Sequence, residues 1–128
     1  MLNVMAVMAG GGIGAGLRYG LFMVVQRFAG ASFPAGTLAA NLLGSLLIGY
    51  FWSLFEELHF VHTWRLFVFT GLLGGFTTFS TFTREVLQLF QTGAWKTAVL
   101  YILISNVLGV ACVLGGYLFF KWAPLLAR

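Results

Sequence analysis

Carboxylates and cysteine are almost absent from this sequence, which has three acidic residues and one cysteine among 128 residues. Cys112 therefore cannot form a disulfide within the chain. His59 and His62 are expected in a loop at the water interface, and no cysteine or carboxylate constellation of convincing metal-binding spacing accompanies them, so the sequence argues against an enzyme. The seven basic residues are scattered singly at the ends of apolar runs. This pattern favours anchoring at lipid head groups over binding to nucleic acid.

Long apolar segments make up most of the chain. Hydrophobic residues account for 60% of the sequence, and the mean hydropathy is +0.96. Uncharged runs cover residues 1–17, 28–55, 66–83 and 97–120, and a membrane-spanning helix needs roughly 17 to 25 residues. The sequence therefore predicts an all-α integral membrane protein, with four transmembrane helices in a single domain over residues 1–128.

The predicted helices cover residues 4–27, 37–58, 64–91 and 94–122. The third contains GLLGGFTTFSTFTR at residues 71–84, where glycine and hydroxyl residues, all weak helix formers, are crowded together. We expect this helix to be broken in mid-membrane, near residues 76–81. Non-helical backbone at membrane depth is tolerated only around a cavity or a buried contact, so we expect the functional site here.

Two stripes at four-residue spacing place polar or small residues on one face of the second helix and one face of the fourth. They are Thr37, Asn41 and Ser45, and Tyr101, Ser105 and Gly109. One interpretation is that these side chains form contacts between helices, which contribute about 0.6 kcal/mol each. The other is that they line a pore. For Asn41 the pore interpretation is favoured, because its stripe faces the broken third helix.

The charges and aromatic rings favour an anion as the solute. No carboxylate is expected in mid-membrane, since Glu85 falls near the end of the third helix. Arg18 is the only deep charge in the predicted helices, and it either extends to the interface or draws anions into a vestibule. Phe79 and Phe82 lie beside the expected break, and an aromatic ring has a positive edge that can face an anion.

The basic residues are balanced across the predicted membrane. Three lie on the side of the termini and three on the other side: Arg65, Lys121 and Arg128, and Arg27, Arg84 and Lys96. With no positive-inside bias to fix one orientation, the chain is expected to insert both ways. Oppositely oriented copies would then pair as an antiparallel, dual-topology homodimer.

Two segments resemble the signature sequences of the Fluc (CrcB) fluoride-channel family: GTLAANLLGS at residues 36–45 and GLLGGFTTFSTF at residues 71–82. GGGIGAGLRY at residues 10–19 agrees with that family as well. The resemblance implies a fluoride-selective passive channel that exports cytoplasmic fluoride across a bacterial inner membrane. It also implies two pores in each antiparallel dimer.

The resemblance further implies roles for particular residues. The pore lining would comprise Asn41, Phe79, Phe82, Tyr101 and Ser105, with Thr37 and Glu85 near the pore ends. Arg18 would lie in the vestibule. A structural sodium ion on the two-fold axis would be held by the backbone carbonyls of Gly74 and Thr77, and oxygen atoms are the ligands that hard cations prefer.

Two other classes of protein stay open as alternatives. A small dual-topology exporter also has four helices, but its mechanism needs a carboxylate deep in the first helix, where this chain has Arg18. A non-conducting membrane assembly subunit would need only small residues that let helices approach closely, and these recur every four residues in the first two helices.

Overall fold

The computed structural model describes residues 1–30 and 32–126, with side chains as far as Trp122. Every regular element in this part of the chain is a helix. The elements are α1 (Leu2–Ala29), α2 (Ala35–Leu58), α3 (His62–Arg65), a π-helix named π1 (Leu66–Leu73), α4 (Gly74–Phe76), α5 (Phe79–Gln91) and α6 (Trp95–Leu126). Arg128, which entered the charge balance above, lies outside the described residues.

Four segments in the described chain are long and apolar enough to cross a membrane. They are Leu2–Ala29, Ala35–Leu58, the third span His62–Gln91, which runs from α3 to α5, and Trp95–Trp122. The prediction of an all-helical protein with four spans is confirmed. Two of the turns between spans contain a glycine with a positive φ angle, which is 73° at Gly30 and 76° at Gly93. Such angles are readily adopted only by glycine.

The third span is irregular in two places. Residues Leu66–Leu73 form a π-helix, an element rare at this length and frequent at functional sites when it occurs as a single turn. The span then loses helical geometry at Thr77 (φ −86°, ψ 156°) and Thr78 (φ −148°, ψ 117°). Thr78 caps α5, because its side chain accepts a hydrogen bond from the Thr81 backbone N–H at 3.2 Å. Two extended residues therefore separate α4 from α5.

The spans pack as two pairs, α1 with the third span and α2 with α6. Glycine residues allow the two helices of each pair to approach closely. A Cβ on Gly14 would overlap the backbone of Leu72 in the third span, and a Cβ on Gly49 would overlap the backbone of Val113 in α6. Both pairs bring helix backbones into direct contact, which is the effect of small residues at membrane helix interfaces.

Helices α2 and α6 run in the same direction along their contact. Gly49 of α2 packs against the backbone of Val113, and one turn earlier the Oγ atom of Ser45 is 3.9 Å from the position that a Cβ on Gly109 would take. The Ser45 end of the α2 stripe therefore meets the Gly109 end of the α6 stripe.

Candidate functional site

Asn41 of α2 holds the extended backbone of the third span. Its side-chain Nδ2 donates to the carbonyl oxygen of Thr78 at 3.0 Å, and its Oδ1 accepts from the N–H of Thr78 at 2.8 Å. The carboxamide thus satisfies both backbone polar groups of one residue, as a neighbouring strand would. An amide nitrogen carries two hydrogens, so Asn41 keeps one donor for another partner.

The extended residues also free backbone oxygens before the break. In a continuous helix the N–H of Thr78 would bond to the carbonyl of Gly74, but it bonds to Asn41 instead. The carbonyls of the last turn of a helix have no intrahelical donor. Gly74 and Thr77 line a cavity of about 410 Å³ beside this turn, together with Asn41 and Phe79.

A buried hydrogen-bonded cluster joins three of the sequence-predicted residues. The Thr37 hydroxyl donates to Glu85 Oε1 at 2.8 Å, and the Tyr101 hydroxyl donates to Glu85 Oε2 at 2.9 Å. Glu85 is 8% exposed and lies in the middle of α5. The carboxylate expected near the end of the third helix is therefore buried among α2, α5 and α6. The single hydrogen of each hydroxyl is used by Glu85.

Aromatic rings form a continuous line through the same region. The ring centroids of Phe79 and Phe82 are 5.7 Å apart, and those of Phe82 and Tyr101 are 5.0 Å apart, with the latter pair edge to face at 64°. Phe82 is buried, whereas Phe79 is 75% exposed. Phe33, from the turn before α2, continues the line at 5.5 Å from Tyr101. The line therefore runs from the exposed surface at the break to the buried cluster.

Ser105 carries the one buried side-chain polar atom without a hydrogen-bond partner in the described part of the chain. A buried hydroxyl normally forms a hydrogen bond, and a buried polar group without one lowers stability by about 1 to 3 kcal/mol. Ser105 precedes Gly109 by one turn in α6, as Asn41 precedes Ser45 by one turn in α2, and Asn41 also has an unused donor. Each of these two residues therefore offers a free hydrogen-bond donor one turn from the contact between Ser45 and Gly109.

Arg18 lies in a cleft of about 250 Å³ between α1 and α2. Thr37, Thr78 and Thr81 line the same cleft. Arg18 is partly buried, so the cleft beside the break contains a positively charged residue.

The sequence-predicted residues thus fall into three neighbouring groups. Asn41, Phe79, Gly74 and Thr77 surround the extended backbone, while Thr37, Glu85, Tyr101 and Phe82 form the buried cluster. Ser105 follows Tyr101 by one turn in α6, and Arg18 lies in the adjoining cleft. Sequence reasoning missed Thr78, whose backbone is the partner of Asn41, and Phe33. The break predicted near residues 76–81 was the available signal for Thr78, since non-helical backbone needs hydrogen-bond partners from elsewhere.

The fold and the site define a multi-pass α-helical membrane protein with polar groups and aromatic rings converging on an interrupted helix. Residues 5–117 match the family described as CrcB-like protein, Camphor Resistance (CrcB). The chain belongs to this family.

Similar curated proteins cover nearly the full chain. A Desulfotalea psychrophila protein named fluoride-specific ion channel FluC is 48% identical over 117 residues, which is 91% of each chain. A Parabacteroides distasonis protein of the same name is 45% identical over 121 residues, or 94% of each chain. A Methylobacterium nodulans protein, also of that name, is 46% identical over 114 residues, covering 88% of this chain and 91% of its own. These relatives are named as ion channels and not as enzymes.

Proposed function

We propose that this protein is a fluoride-selective passive channel that exports cytoplasmic fluoride. The observation that carries this proposal is the 48% identity, over 91% of each chain, to a protein named as a fluoride-specific ion channel. The site supports an anion in particular. Arg18 is the charged group in the cleft beside the break, and the unused donors of Asn41 and Ser105 suit an anion better than a cation.

Fluoride is a small, strongly hydrated anion, so a pathway must replace the water it loses. Asn41 and Ser105 would donate hydrogen bonds, and the ring edges of Phe79 and Phe82 would continue the path toward Tyr101. Thr37 and Glu85 would lie near the end of this path. Binding at each point has to be strong enough to admit the ion and weak enough to release it.

An antiparallel dual-topology homodimer with two pores is the assembly that we infer. Its support comes from the balanced basic residues and from the exposed surface at the break. Phe79 is 75% exposed and lines the same open cavity as Asn41 and Thr78. In a single chain the edge of the Phe79 ring would face lipid. A second copy packed against this surface would cover the cavity and separate it from lipid.

A structural sodium ion would fit the carbonyls of Gly74 and Thr77. The extended conformation of Thr77 and Thr78 releases carbonyl oxygens of α4 from helical hydrogen bonding, and hard cations bind oxygen. Two carbonyls from each of two chains would provide four ligands. The ion would supply positive charge that holds two interrupted spans together, and it would not be transported.

Export would be driven by the membrane potential of a bacterial inner membrane. Each elementary charge gains about 2.3 kcal/mol per 100 mV, so an inside-negative potential expels an anion without ATP or a coupled proton. The four spans provide the multi-pass membrane location that this role requires.

Efflux from liposomes containing the purified protein tests the proposed function. Fluoride would be followed with a selective electrode, and chloride in parallel, under a potassium potential imposed with valinomycin. We expect fast, potential-dependent release of fluoride without release of chloride. If dimers that are demonstrably reconstituted release neither ion, the channel proposal is wrong.

Orientation needs a separate test. Single cysteines in the turn at Gly93 and near the N-terminus, introduced in a Cys112→Ser background, would be labelled with a membrane-impermeant maleimide from each side. Dual topology predicts that about half of the copies react from either side. Labelling of each position from one side only would exclude the antiparallel dimer and leave fluoride transport itself to the efflux assay.

A further inference from the structure

Phe33 extends the line of aromatic rings beyond the residues considered so far. It lies in the turn between α1 and α2 and is partly buried. Its ring is 5.5 Å from that of Tyr101 at an interplanar angle of 75°. Phe33 also lines an open cleft of about 400 Å³, with Arg84 and Glu85 among its other walls. Phe33 therefore lies between the buried cluster and the exterior.

The position of Phe33 is fixed by Gln26 of α1. The Gln26 Nε2 atom donates to the backbone carbonyls of Gly30 and Phe33, the latter at 3.3 Å. Its Oε1 accepts from the N–H of Gly36 at 3.4 Å, one of the first N–H groups of α2 that have no helical partner. One side chain therefore binds the turn before, at and after Phe33. A turn that only connected two spans would not need three side-chain hydrogen bonds to fix its conformation.

The donors around Glu85 are already in use. Thr37 and Tyr101 each have a single hydroxyl hydrogen, and both donate it to the Glu85 carboxylate. An anion leaving this region for the cleft therefore finds no free hydroxyl on either residue. Next to Tyr101, the remaining partial positive charge is on the edges of the two aromatic rings that flank it, namely Phe82 on the inner side and Phe33 on the outer side. Arg84 supplies a full positive charge in another part of the cleft wall.

We propose that Phe33 is a further ion-contacting residue at the pore mouth, and that Gln26 is its positioning residue. This inference rests on the proposed fluoride channel. Phe82 and Phe33 would present ring edges before and after the carboxylate of Glu85, so a permeating anion would pass this charge with an aromatic ring on each side.

Two substitutions of Phe33 separate the ring from its bulk. Phe33→Leu keeps apolar volume but removes the ring edge, and Phe33→Tyr keeps the ring. Phe28→Leu is the matched control, because Phe28 is 84% exposed and lies at the same end of α1. Liposomes would be prepared at less than one dimer per vesicle, so that the fraction of active vesicles reports folded channels and the release rate reports each channel.

We expect Phe33→Leu to lower the fluoride rate per active vesicle by about fivefold or more, the factor that corresponds to one lost aromatic contact. The fraction of active vesicles should be unchanged, Phe33→Tyr should retain most of the rate because the ring remains, and Phe28→Leu should match the wild type. A Phe33→Leu rate equal to that of the wild type would overturn this inference and leave the channel intact. Wild-type protein without fluoride release would overturn the channel proposal and this inference together.

A double-mutant comparison tests the positioning role. Gln26→Leu removes the three hydrogen bonds to the turn and should slow release in the wild-type background. In the Phe33→Leu background it should have no further effect on the rate, because two residues that act through one contact are not additive. An equal loss in both backgrounds would show that Gln26 acts independently of Phe33 and would overturn its assigned role.

Discussion

Asn41 and Thr78 are joined by two hydrogen bonds that use both ends of one carboxamide and both polar groups of one backbone residue. The pair crosses from α2 to the third span at the point where helical hydrogen bonding stops. Asn41 thereby has two functions in our proposal, since it supports the extended backbone and keeps one hydrogen for a passing anion.

Asn41→Asp should abolish fluoride release at a pH where the acid is ionised. Aspartate cannot donate to the Thr78 carbonyl, and its charge would repel an anion at 4 Å by about 4 kcal/mol for an effective dielectric of 20. We expect a loss of at least about a hundredfold in liposome efflux. Asn106→Asp is the matched control, because Asn106 is exposed and bonds to Ile102 of its own helix. Wild-type efflux with Asn41→Asp would move the pathway away from this residue.

Phe79→Ile and Phe82→Ile should both stop fluoride release but should differ in stability. Phe82 is buried against Tyr101, so a change of shape there costs about 1 to 3 kcal/mol. Phe79 is 75% exposed in a single chain, so its replacement should leave the unfolding temperature of dissociated protein unchanged. Thermal unfolding in detergent and efflux from liposomes measure the two effects. Efflux at the wild-type rate in both variants would contradict the ring-edge pathway.

Ser105→Ala should separate function from stability. The Ser105 hydroxyl is buried and unpartnered, so its removal should leave thermal stability equal or higher. Fluoride release should nevertheless fall by about tenfold, because a hydrogen bond to a charged group contributes about 1.5 to 3 kcal/mol. If Ser105→Ala lowers stability and leaves efflux unchanged, the hydroxyl has a structural partner and no role in the pathway.

Two glycines of α1 offer a direct test of the contact with the third span. A Cβ on Gly14 would overlap Leu72 and Phe76, whereas a Cβ on Gly12 would meet nothing within 4 Å. Gly14→Ala should therefore destabilise the protein by about 1 to 3 kcal/mol. Gly12→Ala should stabilise it by up to about 1 kcal/mol through helix propensity. Denaturation in detergent would compare them, and equal effects would rule out the close approach.

Removal of sodium tests the proposed ion at the break. Protein purified and reconstituted with N-methylglucamine in place of sodium should release fluoride more slowly, and restoring sodium should recover the rate. The expected cause is weaker association of the two interrupted spans, so the fraction of dimers should fall in parallel. Equal efflux and equal dimer content after exhaustive exchange would remove sodium from the proposal.

The number and approximate bounds of the spans could be predicted because long apolar runs and their flanking charges are explicit in the sequence. The π-helix Leu66–Leu73 could not, since nearly every residue in that segment is apolar and a hydrophobic period cannot be measured there. Helix α1 also begins two residues earlier and ends two residues later than expected. Such shifts at helix ends are ordinary.

The site could be predicted only as separate stripes. Four-residue spacing set Thr37 and Asn41 on one face of α2, but nothing in the sequence paired Thr37 with Glu85, 48 residues away. That contact depends on how α5 packs against α2 and α6. The position of Phe33 could not be predicted either, because its place beside Tyr101 depends on a turn that is fixed by hydrogen bonds from Gln26. Residue type and spacing identified the candidates, and tertiary packing determined their partners.

The pairing of α1 with the third span and of α2 with α6 has a consequence for biosynthesis. Each tightly packed partner is separated from its mate by an intervening span, and a chain emerges from the ribosome at about 5 to 20 residues per second. The glycine surface of α1 is therefore covered only after the third span has been synthesised, and that of α2 only after α6 has been synthesised. A nascent chain stopped after α2 would expose both surfaces in the bilayer, so completion of the last span is the step that commits the polypeptide to its native arrangement.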